Sequence, residues 1–147
     1  PAAQFDASYC SHNLEHYHRH DVPRVLKGFR HVLKPGGFTH IRVPDMKDVM
    51  TQMIQRGLDI DDVLYQSPAG PITVRDVIYG YGLEIERSGN DFFAHKTGFT
   101  QRSLKLMLEN CGFPVVFSRS GDLEVVALAF SGKPDEYARQ LFGLPAV

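Results

Sequence analysis

The sequence has almost no excess charge: 16 Lys and Arg stand against 17 Asp and Glu, a formal net charge of −1. So even a balance offers no broad field to draw nucleic acid or anionic lipid, and no nucleic-acid partner is expected. Cysteine is scarce, with only Cys10 and Cys111, about a hundred positions apart and in no C-x-x-C spacing. That excludes a disulfide scaffold and leads us to expect two reduced thiols in a cytoplasmic protein. No stretch approaches the roughly 20 apolar residues of a membrane span, and no signal peptide is visible. Internal repeats and low-complexity tracts are also lacking, as is an initiator Met before Pro1. Processing, a tag or a lost front portion would each account for the last.

What is present suits one folded domain over 1–147. Hydrophobic content is 43% and aromatic content 11% over 147 residues, enough to bury a real core. Phe5-Asp6-Ala7-Ser8-Tyr9-Cys10 is short, bounded by polar residues, and reads as a strand. Residues 21–37 read as a helix: Asp21 is a candidate cap, and Pro23 is tolerated in a first turn. Val22, Val25, Leu26, Phe29, Val32 and Leu33 recur at three- and four-residue steps, and Pro35-Gly36-Gly37 ends the run. Residues 38–44 then read as a second strand stopped by Pro44.

Residues 46–99 are the least regular part. The spacing predicts a helix over 46–57 and short helices over 59–67 and 73–82, separated by the turn Pro68-Ala69-Gly70-Pro71. Residues 83–98 carry glycine, charge and aromatics without period, which predicts a loop or lid. Thr100 is a plausible cap for a helix over 101–113, with Leu104, Met107, Leu108 and Cys111 on one face. Residues 114–130 predict two strands joined by a tight turn at Ser120-Gly121-Asp122. The tail holds room for one short helix. Strand-helix-strand argues for a parallel βαβ unit, to which the hairpin adds an antiparallel strand in an α/β layer architecture.

Four of the seven histidines lie within residues 11–20, Ser-His-Asn-Leu-Glu-His-Tyr-His-Arg-His. Its first half fits the H-x-x-E-H pattern of a zinc hydrolase. On a helix, His12 and His16 would share a face with Glu15 beside them, so that two imidazoles hold zinc and a carboxylate activates water. Only about ten residues separate the strand from Asp21, however, and no distal acid is marked as the further ligand. The sequence reading therefore assigns no metal. His18 and His20 read as solvated.

The wider string carries a more specific pattern. Phe5-Asp6, Leu14-Glu15-His16, Arg30-His31-Val32-Leu33-Lys34-Pro35-Gly36-Gly37 and Val43-Pro44-Asp45 follow one another at the spacing of an "FD…LEH…R-x-LKPGG…VPD" series. Downstream, His95, Phe99, Leu104, Leu108, Gly112 and Phe113 fit "H-x-x-x-F-(S/T)-x-x-x-L-x-x-L-L-x-x-x-GF". This resembles the C-terminal half of class I S-adenosylmethionine-dependent methyltransferases of the small-molecule and lipid-type subgroup.

The resemblance implies a partial Rossmann-like methyltransferase sheet, with parallel strands, a C-terminal antiparallel hairpin and the N-terminal strands missing. The cofactor implied is S-adenosylmethionine and the partner a small-molecule methyl acceptor. Cys10, Ser11, His12 and Glu15 would border the cofactor, His16 and His95 would stand near the transferred methyl, and Tyr79, Tyr81, Phe92 and Phe93 would line the acceptor pocket. The 46–99 region would form an acceptor-side lid.

The family's E/D-x-G-x-G loop and the acid ending its second strand have no counterpart in the sequence; Gly80 and Gly82 come nearest and lie far downstream. Taking 5–10 as the family's fourth strand leaves two and a half strand-helix units unaccounted for, some 80 residues at about 30 per unit. A truncated enzyme, inactive by itself, is the expectation. The alternative is a non-catalytic methyltransferase-like module that works through oligomerisation. In either case the edge of the Phe5–Cys10 strand is a candidate homodimer contact.

Overall fold

A strand, a helix and a second strand open the chain, as the apolar patterns predict. The structure, a computed structural model, describes residues 2–145. Strand β1 spans Phe5–Ser11, helix α1 Val22–Val32 and strand β2 Leu33–Pro44. The strands run parallel, with Ala7 opposite Phe38, Tyr9 opposite His40 and Ser11 opposite Arg42. Between β1 and α1 a single 3-10 turn covers Leu14–His16.

Helix α1 begins and ends differently from the expectation. Asp21 makes no side-chain cap; its carboxylate faces His20 Nε2 at 3.4 Å and Arg24 at 3.9 Å instead. The helix stops at Val32, and Leu33 is already extended. Proline at 35 bars helical angles from Lys34, so the chain turns extended before the Pro-Gly-Gly triplet rather than at it. The triplet then forms an irregularity in β2, across which the pairing jumps from Phe5–Leu33 to Ala7–Phe38. Gly37 is required there, because a Cβ would stand 2.9 Å from Asp6 O and 3.0 Å from Lys34 O.

Helix α2 occupies Met46–Gln55, capped by the Asp45 carboxylate on the Lys47 amide. The helix expected over 59–67 is not formed. Val63–Ser67 is strand β3, paired antiparallel with β4 at Gly70–Thr73. Val63, Leu64 and Tyr65 are the branched and aromatic residues that suit a pleated surface, and Pro68-Ala69 supplies the turn. Helix α3, Val74–Tyr79, starts from a reciprocal capping box between Thr73 and Asp76. The loop expected over 83–98 is partly helical, with α4 at Gly82–Ser88 and a 3-10 turn at Asp91–Phe93.

Helix α5 (Gln101–Asn110) begins at Thr100 as expected, with Thr100 and Ser103 forming a second reciprocal box. Strands β5 (Val115–Gly121) and β6 (Glu124–Phe130) form the hairpin. Its turn residues are Asp122 and Leu123, both at positive φ, one step beyond the expected Ser120–Asp122. Helix α6 covers Glu136–Phe142. The main sheet has the order β1-β2-β6-β5, with β6 antiparallel to both neighbours, and β3-β4 forms a separate two-stranded sheet.

Alternation along the sheet separates two faces. Ile41, Val43, Val125, Ala127 and Ala129 are buried with Leu26 of α1 and with Leu104, Leu108 and Phe113 in and after α5. Phe38 and Phe130 lie towards the other face, where Phe142 of α6 meets Phe38 edge-on at 5.1 Å between ring centres. A second core joins Val49 of α2, Leu64 of β3 and Val74 and Val77 of α3, with Leu123 of the hairpin turn packed against it. That contact ties the 46–99 region to the strand ends where the site lies.

Candidate active site

β1 delivers its last residues to the carboxyl end of the parallel pair, where open α/β sheets collect ligands. Cys10 is buried, and burial pushes its thiol up to about 11, with the Glu15 charge adding to the effect. Ser11 ends the strand opposite Arg42. His12 then turns the chain at a φ of 47°, and its amide donates to Arg42 O at 2.9 Å. The strained turn points the imidazole back over β2 and β6, where Nε2 meets Glu124 Oε1 at 2.6 Å.

Arg42 holds the same carboxylate through its guanidinium. Burial opposes ionisation of Glu124, but Arg42 and His12 outweigh it, and its pKa is lowered. His12 is raised, first by the Glu15 carboxylate and then, against the cost of burial, by Glu124. The result is a fixed Arg42–Glu124–His12 relay across the ends of three strands. Neither Arg42 nor Glu124 was marked from sequence. The signal was available for Arg42, which sits at the carboxyl end of a parallel strand two residues before Pro44.

The helical H-x-x-E-H geometry does not form. His12 lies outside the short turn and is engaged by Glu124, so it does not share a helix face with His16. His16 is joined by His95 instead, their ring centres 5.0 Å apart and edge to face. Each imidazole is anchored at Nδ1 on a backbone carbonyl, His16 on Ala94 O at 3.3 Å and His95 on Val77 O at 2.9 Å. Burial lowers the pKa of His95, although the Glu15 carboxylate works the other way. Phe92 stacks on His16 at 5.3 Å and Phe93 meets Phe92 edge-on.

Glu15 is only 1% exposed. Its backbone carbonyl accepts from the amides of Lys96 and Thr97 at 2.7 and 3.2 Å, which brings the 95–97 segment onto the end of β1. Its carboxylate oxygens have no hydrogen-bond partner among the described residues. His12 Nδ1 stands 3.4 Å from Oε1, close enough for charge attraction but not aligned to donate. Glu15, His16 and His95 offer ligand atoms that all lie within 4.8 Å of one another.

A cavity of about 690 Å³ opens beside this cluster, lined among others by His12, Arg42, Glu124, Tyr65, Tyr81 and His95. Of the four expected acceptor residues, Tyr81 lines the cavity and three do not. Tyr79 is exposed. Phe92 stacks on His16, and Phe93 meets Phe92 rather than the cavity wall. Tyr65 and Gln52 also line it, neither of them singled out by the sequence pattern; Tyr65 reaches it from β3, where the spacing predicts a helix.

Comparison with known proteins bears on the fold. A family described as "Methyltransferase domain" matches residues 1–41. No curated protein matches the chain at a significant level. Among solved structures, an O-methyltransferase family protein from Burkholderia thailandensis superposes with a TM-score of 0.54 at 12% identity, over 90% of this chain and 32% of its own. The 1,6-didemethyltoxoflavin N1-methyltransferase from Burkholderia thailandensis, solved with 1,6-didemethyltoxoflavin and S-adenosylhomocysteine, gives 0.51 at 20% identity, over 92% and 46%. An S-adenosylmethionine-dependent methyltransferase from Thermotoga maritima gives 0.51 at 16%, over 88% and 57%. The chain thus spans between about a third and just over half of the length of these structures. Together, the family match at the front of the chain and the shared fold along nine-tenths of it identify a class I S-adenosylmethionine-dependent methyltransferase fold.

Proposed function

We propose that the chain forms the acceptor-side portion of an S-adenosylmethionine-dependent methyltransferase that acts on a small molecule. One observation carries the reading. The cavity at the carboxyl ends of β1 and β2 gathers His12 from the first strand, Arg42 from the second and Tyr81 and His95 from the 46–99 region. Its volume suits a ligand of ordinary metabolite size.

In this reading Cys10, Ser11 and His12 border the methionine portion of the cofactor, largely through backbone, and Glu15 stands beside the methyl-transfer centre. The fit is one-sided: these residues form a wall at the strand end, and the chain has no glycine-rich loop for the rest of the cofactor. When bound, the cofactor supplies a methyl already activated by a positive sulfur. The chain's own residues then hold the acceptor in line with it. Tyr81 and Tyr65 offer apolar surface and hydroxyls to the acceptor, and the Arg42–Glu124 pair fixes the polar floor. His16 and His95 are the groups placed to meet an acceptor proton, and His95, kept neutral by burial, is suited to accept one. The 46–99 region is the acceptor-side lid, tied down where the Lys96 and Thr97 amides donate to the Glu15 carbonyl.

Calorimetric titration with S-adenosylhomocysteine tests the proposal. The 147-residue chain should bind it weakly or not at all. The protein extended upstream of Pro1 should bind it stoichiometrically. Failure of the extended protein to bind would leave the non-catalytic, oligomerising module as the reading.

A further inference from the structure

We propose that Glu15, His16 and His95 form a binding site for a borderline divalent cation such as Zn²⁺ or Co²⁺. The first observation is the cluster itself, a carboxylate and an imidazole adjacent in sequence joined by a second imidazole from some 80 positions downstream, with ligand atoms within 4.8 Å of one another. Metal bonds of about 2.0–2.2 Å require those atoms to approach by roughly another ångström, a distance that small side-chain rotations cover.

The second observation is independent. Glu15 is 1% exposed, and neither carboxylate oxygen has a hydrogen-bond partner among the described residues. A buried carboxylate with no hydrogen bond is costly; His12 Nδ1, 3.4 Å from Oε1, faces one of its two oxygens, and a bound cation would offset the remainder directly. The third concerns tautomers. A carbonyl oxygen only accepts, so Ala94 O and Val77 O require a proton on Nδ1 of His16 and His95. In each neutral ring the lone pair then falls on Nε2, and the carbonyl behind it fixes the ring, which is the usual backing of a metal-bound imidazole.

Two His and one carboxylate fill three positions and leave others open towards the cavity that His95 also lines. His12 is committed to Glu124 and remains outside the set. The use of the site rests on the methyltransferase reading above, and it narrows the acceptor class to a hydroxyl. With Nε2 of His16 and His95 occupied by the cation, neither ring would take the acceptor's proton; the acceptor oxygen would instead fill an open coordination position, and its proton, made acidic by the cation, would leave to solvent. The resulting oxyanion would form the O–CH₃ bond as the S–CH₃ bond breaks, the bonding pair remaining on sulfur as a neutral thioether.

The test is equilibrium dialysis of the chain against Zn²⁺ alone, with bound metal quantified, followed by Co²⁺ substitution. One equivalent should bind, and the Co²⁺ form should shift the imidazole proton resonances of His16 and His95. E15Q and H95N should each weaken Zn²⁺ binding by about 100-fold or more, since each removes a direct ligand. The double variant H18N/H20N, which removes the stacked, outward-facing histidine pair, should bind as the parent does. Binding by E15Q at the parental level, loss in H18N/H20N, or unshifted His16 and His95 resonances would overturn the site. The resonances decide the matter even where E15Q fails to fold. Since no cofactor enters the experiment, metal binding by the chain combined with failure of the upstream-extended protein to bind S-adenosylhomocysteine would keep the site and remove only its assigned use.

Discussion

His40 and Cys10, on adjacent strands of the sheet, show how two side chains can be held uncharged for different reasons. His40 stands opposite Tyr9 and Leu128 on neighbouring strands, with Tyr9 edge-on at 5.2 Å. Burial lowers its pKa, and the positive charges of Arg42 and Arg119 lower it further. In the unfolded chain the same ring titrates near 6.5, so from there downwards the unfolded state binds its proton first. Stability should therefore be unaffected by this group above pH 6.5 and should fall as pH drops below it towards the lower folded value. Urea midpoints measured at pH 7.5 and 5.5 should decline less in H40Q than in the parent; an equal decline would show that the ring titrates freely. For Cys10, a thiol raised to about 11 is almost wholly protonated at pH 8. Iodoacetamide at that pH should leave Cys10 unmodified in the folded chain and label it in denaturant, as peptide mass mapping will read.

Among the elements, helix α5 was the most legible because its signals are local. Thr100 precedes an apolar stripe at helical spacing, and the structure returns the cap as a reciprocal box with Ser103. T100A should cost about 1 kcal/mol, the usual value of a lost side-chain cap, and thermal denaturation will measure it. The βαβ unit and the hairpin were equally readable, since alternation and a Gly-Asp turn also act over a few residues. The 46–99 region was not, and the reason is physical. Val63-Leu64-Tyr65 is too short to show a period, and it becomes a strand only because β4 returns beside it. The site was legible in part. The resemblance set His16 and His95 near one another, but the contacts that join them, through the Glu15 carbonyl and the Val77 carbonyl, are ones that no spacing announces. Gly80 makes this junction possible. Its φ is +99°, and a Cβ there would collide with Phe93 O. G80A should therefore displace the 91–95 segment and lower the melting temperature by several degrees, more than the capping loss in T100A.

At the scale of the whole molecule, the sheet has two edge strands: among the described residues β5 has only β6 beside it, and β1 has only β2. Phe5 and Tyr9 of that strand are 53% and 63% exposed, although the matched structures carry more than this chain spans. A strand with a free ladder of amides and carbonyls, flanked by exposed aromatic rings and bearing little charge, is a template for pairing. A helix would blunt such an edge, as would a charged side chain or another strand. Asp6, held by Lys34 at 2.8 Å, is the one charged residue within β1, and its charge is largely met by that pair. The 147-residue chain should therefore associate through β1, and sedimentation velocity should show a monomer–dimer equilibrium that shifts with concentration. Y9K places a second charge on the edge and should move the equilibrium towards monomer. L106K alters an exposed apolar residue of α5, outside β1, and should leave it unchanged. A chain that remains monomeric throughout, or an L106K variant that dissociates as readily as Y9K, would show that β1 is not the contact.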